Sequence, residues 1–187
     1  MPAHYATLQA QAGWSVYKNW PRARWEALLG ACADIPVFQL GTADEPPIAG
    51  ARHDFLGCPL STAVALVANA TLHIGVDSFA NHLTHYRWRG NDGALSRTRG
   101  VIVWGSTQAS AAGYPHNVNI SIGLPCQPCF REDPKLSRTP RGPCITPPGQ
   151  TYDAPKHACL HGLPVERVLS EVRRAWDAAV QRPESWP

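Results

Sequence analysis

The chain has 187 residues, enough for one well-buried core and too few for two full domains. An apolar fraction of 44% against 17% charged residues excludes an intrinsically disordered chain, while 15 Gly and 18 Pro forecast long loops. The formal charge is only +3, and Lys and Arg form no dense block, so composition argues against a nucleic-acid binder and suits a single anionic ligand better.

Residues 1–20 carry no basic segment leading into an apolar one, and no secretory signal is expected. The longest apolar stretch, 63–76, is interrupted by Asn69, Thr71 and His73, so no membrane span is expected and the cytoplasm is the default location. Pro21 stands where a first helical turn tolerates it, and Trp25, Leu28, Leu29 and Cys32 follow at helical spacing. Residues 34–36 end that helix, 37–41 read as a short strand, and 42–50 form a loop rich in proline and acidic residues. A second helix opens at Pro59 with Leu60, Val64, Val67 and Ala68 as its buried stripe, and leads into a strand at 71–76 with Leu72, Ile74 and Val76 alternating. A third helix starts at Ser78, with Phe79, His82, Leu83 and Tyr86 on one face. The polar stretch 87–99 reads as a surface loop, 101–104 as a buried strand ended by Gly105-Ser106-Thr107, and 118–122 as a final strand. The segment 124–161 holds many prolines and four cysteines without a period, and Pro164 opens a helix with Val165, Val168, Leu169, Val172, Trp176 and Val180 on one face. Alternating helix and strand signals predict an α/β fold with a mainly parallel sheet, and there is no internal repeat.

Three clusters of residues suit an anionic ligand. Asp77 and Ser78 follow a strand and open a helix, the place where parallel sheets bind ligands and where a helix points free N–H groups at an anion. The same two residues also suit a simple helix cap, and His82 suits a packing role. Lys18, just ahead of the first helix, is placed to meet a phosphate as a point charge, or to be an ordinary solvated lysine. Gly105, Ser106 and Thr107 make a small-residue turn that lets a ligand approach the backbone.

Taken together, Lys18-x-Trp20-Pro21, then Gly75-Val76-Asp77-Ser78 with His82-Leu83, then a strand with Gly105-x-Thr107, then Cys126-x-x-Cys129, resemble the heptosyltransferases. These are glycosyltransferases built from two facing Rossmann-like domains, the GT-B arrangement, and the likeness runs over roughly 13–172 onto their carboxyl-terminal half. The resemblance implies one Rossmann-like domain over 1–187 that holds a nucleotide-diphosphate sugar of the ADP-heptose kind. It implies that Lys18 meets the diphosphate, Asp77 the sugar hydroxyls and Ser78 the neighbourhood of the phosphates, with His82, Gly105 and Thr107 lining the pocket. The reaction it implies is inverting transfer of the sugar to an acceptor hydroxyl. The chain departs from the family at Phe79, where a glycine is usual. In the family the acceptor site and catalytic base belong to the amino-terminal half, so a partner subunit or self-association is expected to supply them, and no base is assigned here.

The cysteines make a separate argument. Cys126 and Cys129 form a Cys-x-x-Cys pair, and Cys144 and Cys159 follow at equal spacing, which predicts a closed tetrahedral site for structural zinc or iron in an inserted loop, 124–161. The alternative is four free or disulfide-paired thiols. Arg131, Lys135, Arg138 and Arg141 would offset the thiolate charge, and His157 and His161 are spare ligands. Cys32 and Cys58 read as buried cysteines on apolar faces. The expected function is thus a glycosyltransferase or its donor-binding half. The alternatives are a non-catalytic nucleotide or nucleotide-sugar binding module and, well behind, a zinc-ribbon nucleic-acid binder.

Overall fold

A computed structural model describes residues 1–13, 15–89, 95–96, 98–124, 127–128 and 158–181. Five strands, β1 (Ala6–Gln9), β2 (Val37–Gln39), β3 (Leu72–Val76), β6 (Arg99–Val103) and β7 (Val118–Ile120), form one sheet in the order β2-β1-β3-β6-β7. All its pairings are parallel, as in a Rossmann-like fold. The region expected as a plain surface loop instead contains a two-stranded antiparallel ribbon, β4 (Trp88–Arg89) with β5 (Leu95–Ser96). Among the described residues the helices are α1 (Arg22–Ala31), α2 (Leu60–Ala68), α3 (Phe79–Leu83), α4 (Ala109–Ala112), α5 (Ala158–His161) and α6 (Val165–Gln181), with a 3-10 turn at Val16–Lys18.

The sheet separates two unlike faces because side chains alternate along each strand. On one face Ala6, Leu8, Leu72, Ile74, Val76, Val101 and Val103 pack with Trp25, Leu28 and Leu29 of α1 and Val168, Val172 and Ala175 of α6. Trp20 and Trp25 are buried in the same cluster, and their rings meet edge to face at 4.8 Å. Arg173 of α6 grips both oxygens of Asp34 at 2.5 and 2.6 Å and ties the turn after α1 to the middle of α6. The opposite face is partly polar. Thr7 of β1 and His73 of β3 lie in register and meet at 3.0 Å, and His73 is fully buried. Asn117 accepts from the Gly100 amide at 2.7 Å and donates to Thr84 at 2.7 Å and Asn81 at 3.2 Å, so β6, β7 and the end of α3 share one buried polar network.

Two expected helix faces turn out differently. In α2 the buried residues are Leu66 and Val67, and Leu60, the first residue of the helix, is exposed. In α3 the buried residues are Ala80, Asn81 and Leu83, while Phe79, His82 and Tyr86 face outward. The polar network takes Asn81 inside with Ala80 and Leu83, and the helix then presents Phe79 and His82 to solvent. Cys32 is buried as expected, whereas Cys58 is only half-buried, in the loop before α2.

The free edge of β2 is covered by its own following loop. Arg52 and Leu56 form isolated parallel bridges with Phe38 and Gly41, with Gln39 N–H donating to Arg52 O at 2.7 Å and Arg52 N–H to Val37 O at 2.8 Å. Among the described residues, no helix is long and apolar enough to cross a membrane.

Candidate functional site

In the order β2-β1-β3-β6-β7 the chain winds away from β1 in opposite directions, and the crevice outside the carboxyl ends of β1 and β3 is where such sheets receive ligands. Three of the residues singled out from sequence meet there. The 3-10 turn after β1 ends at Lys18, and Asp77 follows β3 directly. Lys18 Nζ lies 2.8 Å from Asp77 Oδ2, and the hydroxyl of Thr107, after β6, donates to the same oxygen at 2.8 Å. The Asp77 side chain is 4% exposed and that of Lys18 is 22% exposed, so the carboxylate sits below an ammonium that still reaches solvent. An ion pair so enclosed is costly to break by removing one partner, since the other charge is then left in a poorly hydrated place.

Asp77 and Ser78 do not act as side-chain caps. Ser78 occupies the N-cap position of α3 in an extended conformation and makes no capping bond. The amide of Ala80 instead donates to Oε1 of Gln9, the last residue of β1, at 2.8 Å. This leaves Asp77 free for Lys18 and Thr107. It also changes the expected electrostatics: α3 has only five residues and one of its first amides is already taken. The positive potential at the crevice therefore rests on the Lys18 ammonium rather than on a helix dipole.

Gly105 has a different reason from the one its position suggested. A Cβ there would overlap the carbonyl oxygen of Tyr17 and touch Leu160, so the space is filled by the chain itself and not held open for a ligand. The neighbouring Ser106 N–H donates to that same Tyr17 carbonyl at 3.0 Å. The loops carrying Lys18 and Thr107 are thus latched to each other through their backbones. The Gly105 carbonyl accepts from Gln127 Nε2 at 2.7 Å, which anchors the start of the cysteine-rich segment to the same loop.

His82 is exposed and turns to a different partner from Lys18 and Asp77: its Nδ1 meets the Tyr114 hydroxyl at 2.9 Å. The Tyr114 ring stacks on His85 with centroids 4.5 Å apart. Burial pushes the Tyr114 hydroxyl pKa up, and the negative fields of Tyr86 and Asp77 push it the same way. Gln9, Tyr17 and Tyr114 thereby belong to the surroundings of the site, although no motif or spacing marks them. Gln9 lies at the end of a strand that periodicity did not reveal, and the roles of the other two depend on long-range contacts.

Of the proposed metal ligands, Cys126, Cys129 and Cys144 lie outside the described residues, as does His157. Cys159 is buried in α5 and packs in the main core, and His161 at the end of α5 is exposed. Among the described residues no three His, Cys, Asp or Glu side chains come together to hold a metal ion.

No protein-family model and no curated protein matches the chain. Solved structures do match its fold over nearly its whole length. The iron-containing dodecameric glycosyltransferase TibC from enterotoxigenic E. coli superposes with a TM-score of 0.68 at 15% identity, covering 95% of this chain and 46% of that one. Heptosyltransferase II of E. coli, which is named for ADP-heptose and lipopolysaccharide, gives 0.60 at 16% identity over 97% and 48%. A family 9 glycosyltransferase from Veillonella parvula gives 0.55 at 12% identity over 94% and 46%. TibC has been solved with ADP-D-β-D-heptose. The chain is therefore structurally similar to heptosyltransferases, and it spans about half the length of each.

Proposed function

We propose that this chain is the donor-binding half of a GT-B glycosyltransferase and holds a nucleotide-diphosphate sugar in the crevice around Lys18, Asp77 and Thr107. The observation that carries the reading is the convergence of an ammonium, a sunken carboxylate and a hydroxyl at the carboxyl ends of β1, β3 and β6. In this reading Lys18 meets the diphosphate and Asp77 accepts hydrogen bonds from sugar hydroxyls. Ser78 and His82 stand at the margin of the pocket, and Gly105 acts by holding the Thr107 loop in place. Transfer would proceed by attack of a deprotonated acceptor hydroxyl on the anomeric carbon, with the nucleoside diphosphate leaving. The contribution of this half is to fix the donor and to stabilise the charge that develops on the leaving phosphate.

The likeness to ADP-heptose enzymes supports a donor of that class, and the chain is read as a single domain over 1–187 that forms one wall of a cleft. The acceptor and general base then come from a second domain, a partner subunit or self-association, and the working location is the cytoplasm. Cys126, Cys129, Cys144 and Cys159 are proposed to hold one structural zinc or iron ion that organises the segment 124–161, supported by their spacing and not by any coordination geometry. The alternative reading is a nucleotide-sugar binding module without turnover, which the same grouping of Lys18, Asp77 and Thr107 would serve.

Calorimetry tests the site. Nucleoside diphosphates and their heptose or hexose conjugates are expected to bind, with Asp77→Ala removing the preference for the sugar conjugate over the free nucleotide and Lys18→Ala weakening both. No heat from either ligand class at millimolar concentration would refute the donor site. Radiolabelled sugar transfer then separates the two readings: turnover that appears only on adding a second polypeptide supports the split enzyme, and binding without turnover under every pairing supports the module.

A further inference from the structure

The pairing at the site contains a conflict if the ligand is a diphosphate. The ammonium that must receive the anion already belongs to Asp77, at 2.8 Å, and Asp77 is nearly sealed from water. A ligand offering only phosphate oxygens has to draw Lys18 away, and it then leaves a carboxylate holding one hydroxyl, from Thr107, close to its own negative charge. A ligand that also brings hydroxyl groups replaces the donor that Asp77 loses, so its carboxylate stays satisfied.

We propose that Asp77 works as an affinity gate: it masks Lys18 in the ligand-free protein and so selects sugar-bearing diphosphates over bare ones. This rests on the donor-site reading above and extends it to regulation of the same site. Its consequence is that the nucleoside diphosphate left after transfer is held more weakly than the intact donor, which favours product departure. The same carboxylate keeps abundant phosphates from occupying the crevice.

The test uses the full chain, inorganic pyrophosphate and isothermal calorimetry, with folding of each variant checked by circular dichroism melting. Asp77→Asn keeps an oxygen that Thr107 and Lys18 can reach but removes the charge, so pyrophosphate should bind roughly tenfold more tightly than to the native protein. Adding Lys18→Met to that variant should abolish the gain. Should Asp77→Asn melt below the assay temperature, Asp77→Ser is read by the same criteria. Pyrophosphate that binds Asp77→Asn no better than the native chain, or a gain that survives Lys18→Met, overturns the gate and leaves the donor site standing. Pyrophosphate that binds no variant at millimolar concentration overturns the gate and the donor-site reading together.

Discussion

Acidification should weaken this fold through one side chain, His73. Its ring is fully buried on β3, its Nδ1 meets the Thr7 hydroxyl at 3.0 Å, and its Nε2 has no hydrogen-bond partner. Burial pushes its pKa down from 6.5 to about 3. In the unfolded chain the ring takes up a proton below about pH 6.5, whereas the folded protein resists that proton until about pH 3. Within that window the unfolded state binds more protons, so stability falls as the pH falls. Between pH 7 and pH 5 the single site accounts for a loss of about 2 kcal/mol. Urea titrations read this as a midpoint about 1 M lower at pH 5 than at pH 7 for a chain of this size. Other groups also titrate, so the comparison is made against His73→Gln, whose midpoint should drop less by about the same amount. Equal pH dependence in the two proteins would refute the argument, and would mean that the imidazole is protonated or hydrated inside the fold.

Two further predictions address the latch and the cysteines. Gly105→Ala places a methyl group on the Tyr17 carbonyl; the backbone has to shift, and a loss of about 1–3 kcal/mol is expected in thermal melts, together with weaker diphosphate binding as Lys18 moves with Tyr17. An unchanged melting temperature would show that the two loops are not rigidly joined. Elemental analysis of the purified protein should find about one zinc or iron per chain. Cys126→Ser or Cys144→Ser should lose the metal and lower the melting temperature, and metal-free protein with every thiol open to alkylation would remove the site.

The sequence was most informative where one face of an element is buried and the other is wet. In helix α6 the expected Val168 and Val172 are buried and Val165, Leu169 and Trp176 pack partly buried against the core, with Ala175 added to the buried face, and β3 carries its alternation of Leu72, Ile74 and Val76 into the core. It was least informative at the centre of the sheet. Strand β1 has one large aliphatic residue, Leu8, beside one alanine and two polar residues, and its burial comes from the strands on either side rather than from its own composition. The face of α3 was misread for a related reason, because Asn81 is buried by hydrogen bonds that only the fold brings within reach. As for the site, Lys18 and Asp77 lie 59 residues apart and Thr107 a further 30, a separation at which neither period nor local spacing says anything. The order of the motifs along the chain was what grouped them. Gln9, which frees Asp77 by taking the Ala80 amide, could not be reached without β1.

The loop that lies along the outer edge of β2 has a bearing on how copies of this protein can meet. Strand edges with open amides and carbonyls invite another chain to extend the sheet. Here the outward groups of Val37 and Gln39 are already bonded to Arg52, and Gly41 accepts from Gly57 at 2.9 Å. A neighbour adding a strand on this side would first have to peel residues 52–57 away. Assembly that leaves the fold intact must therefore use side-chain surfaces on this flank, which keeps the carboxyl-end crevice of the sheet from being closed by simple sheet extension across β2.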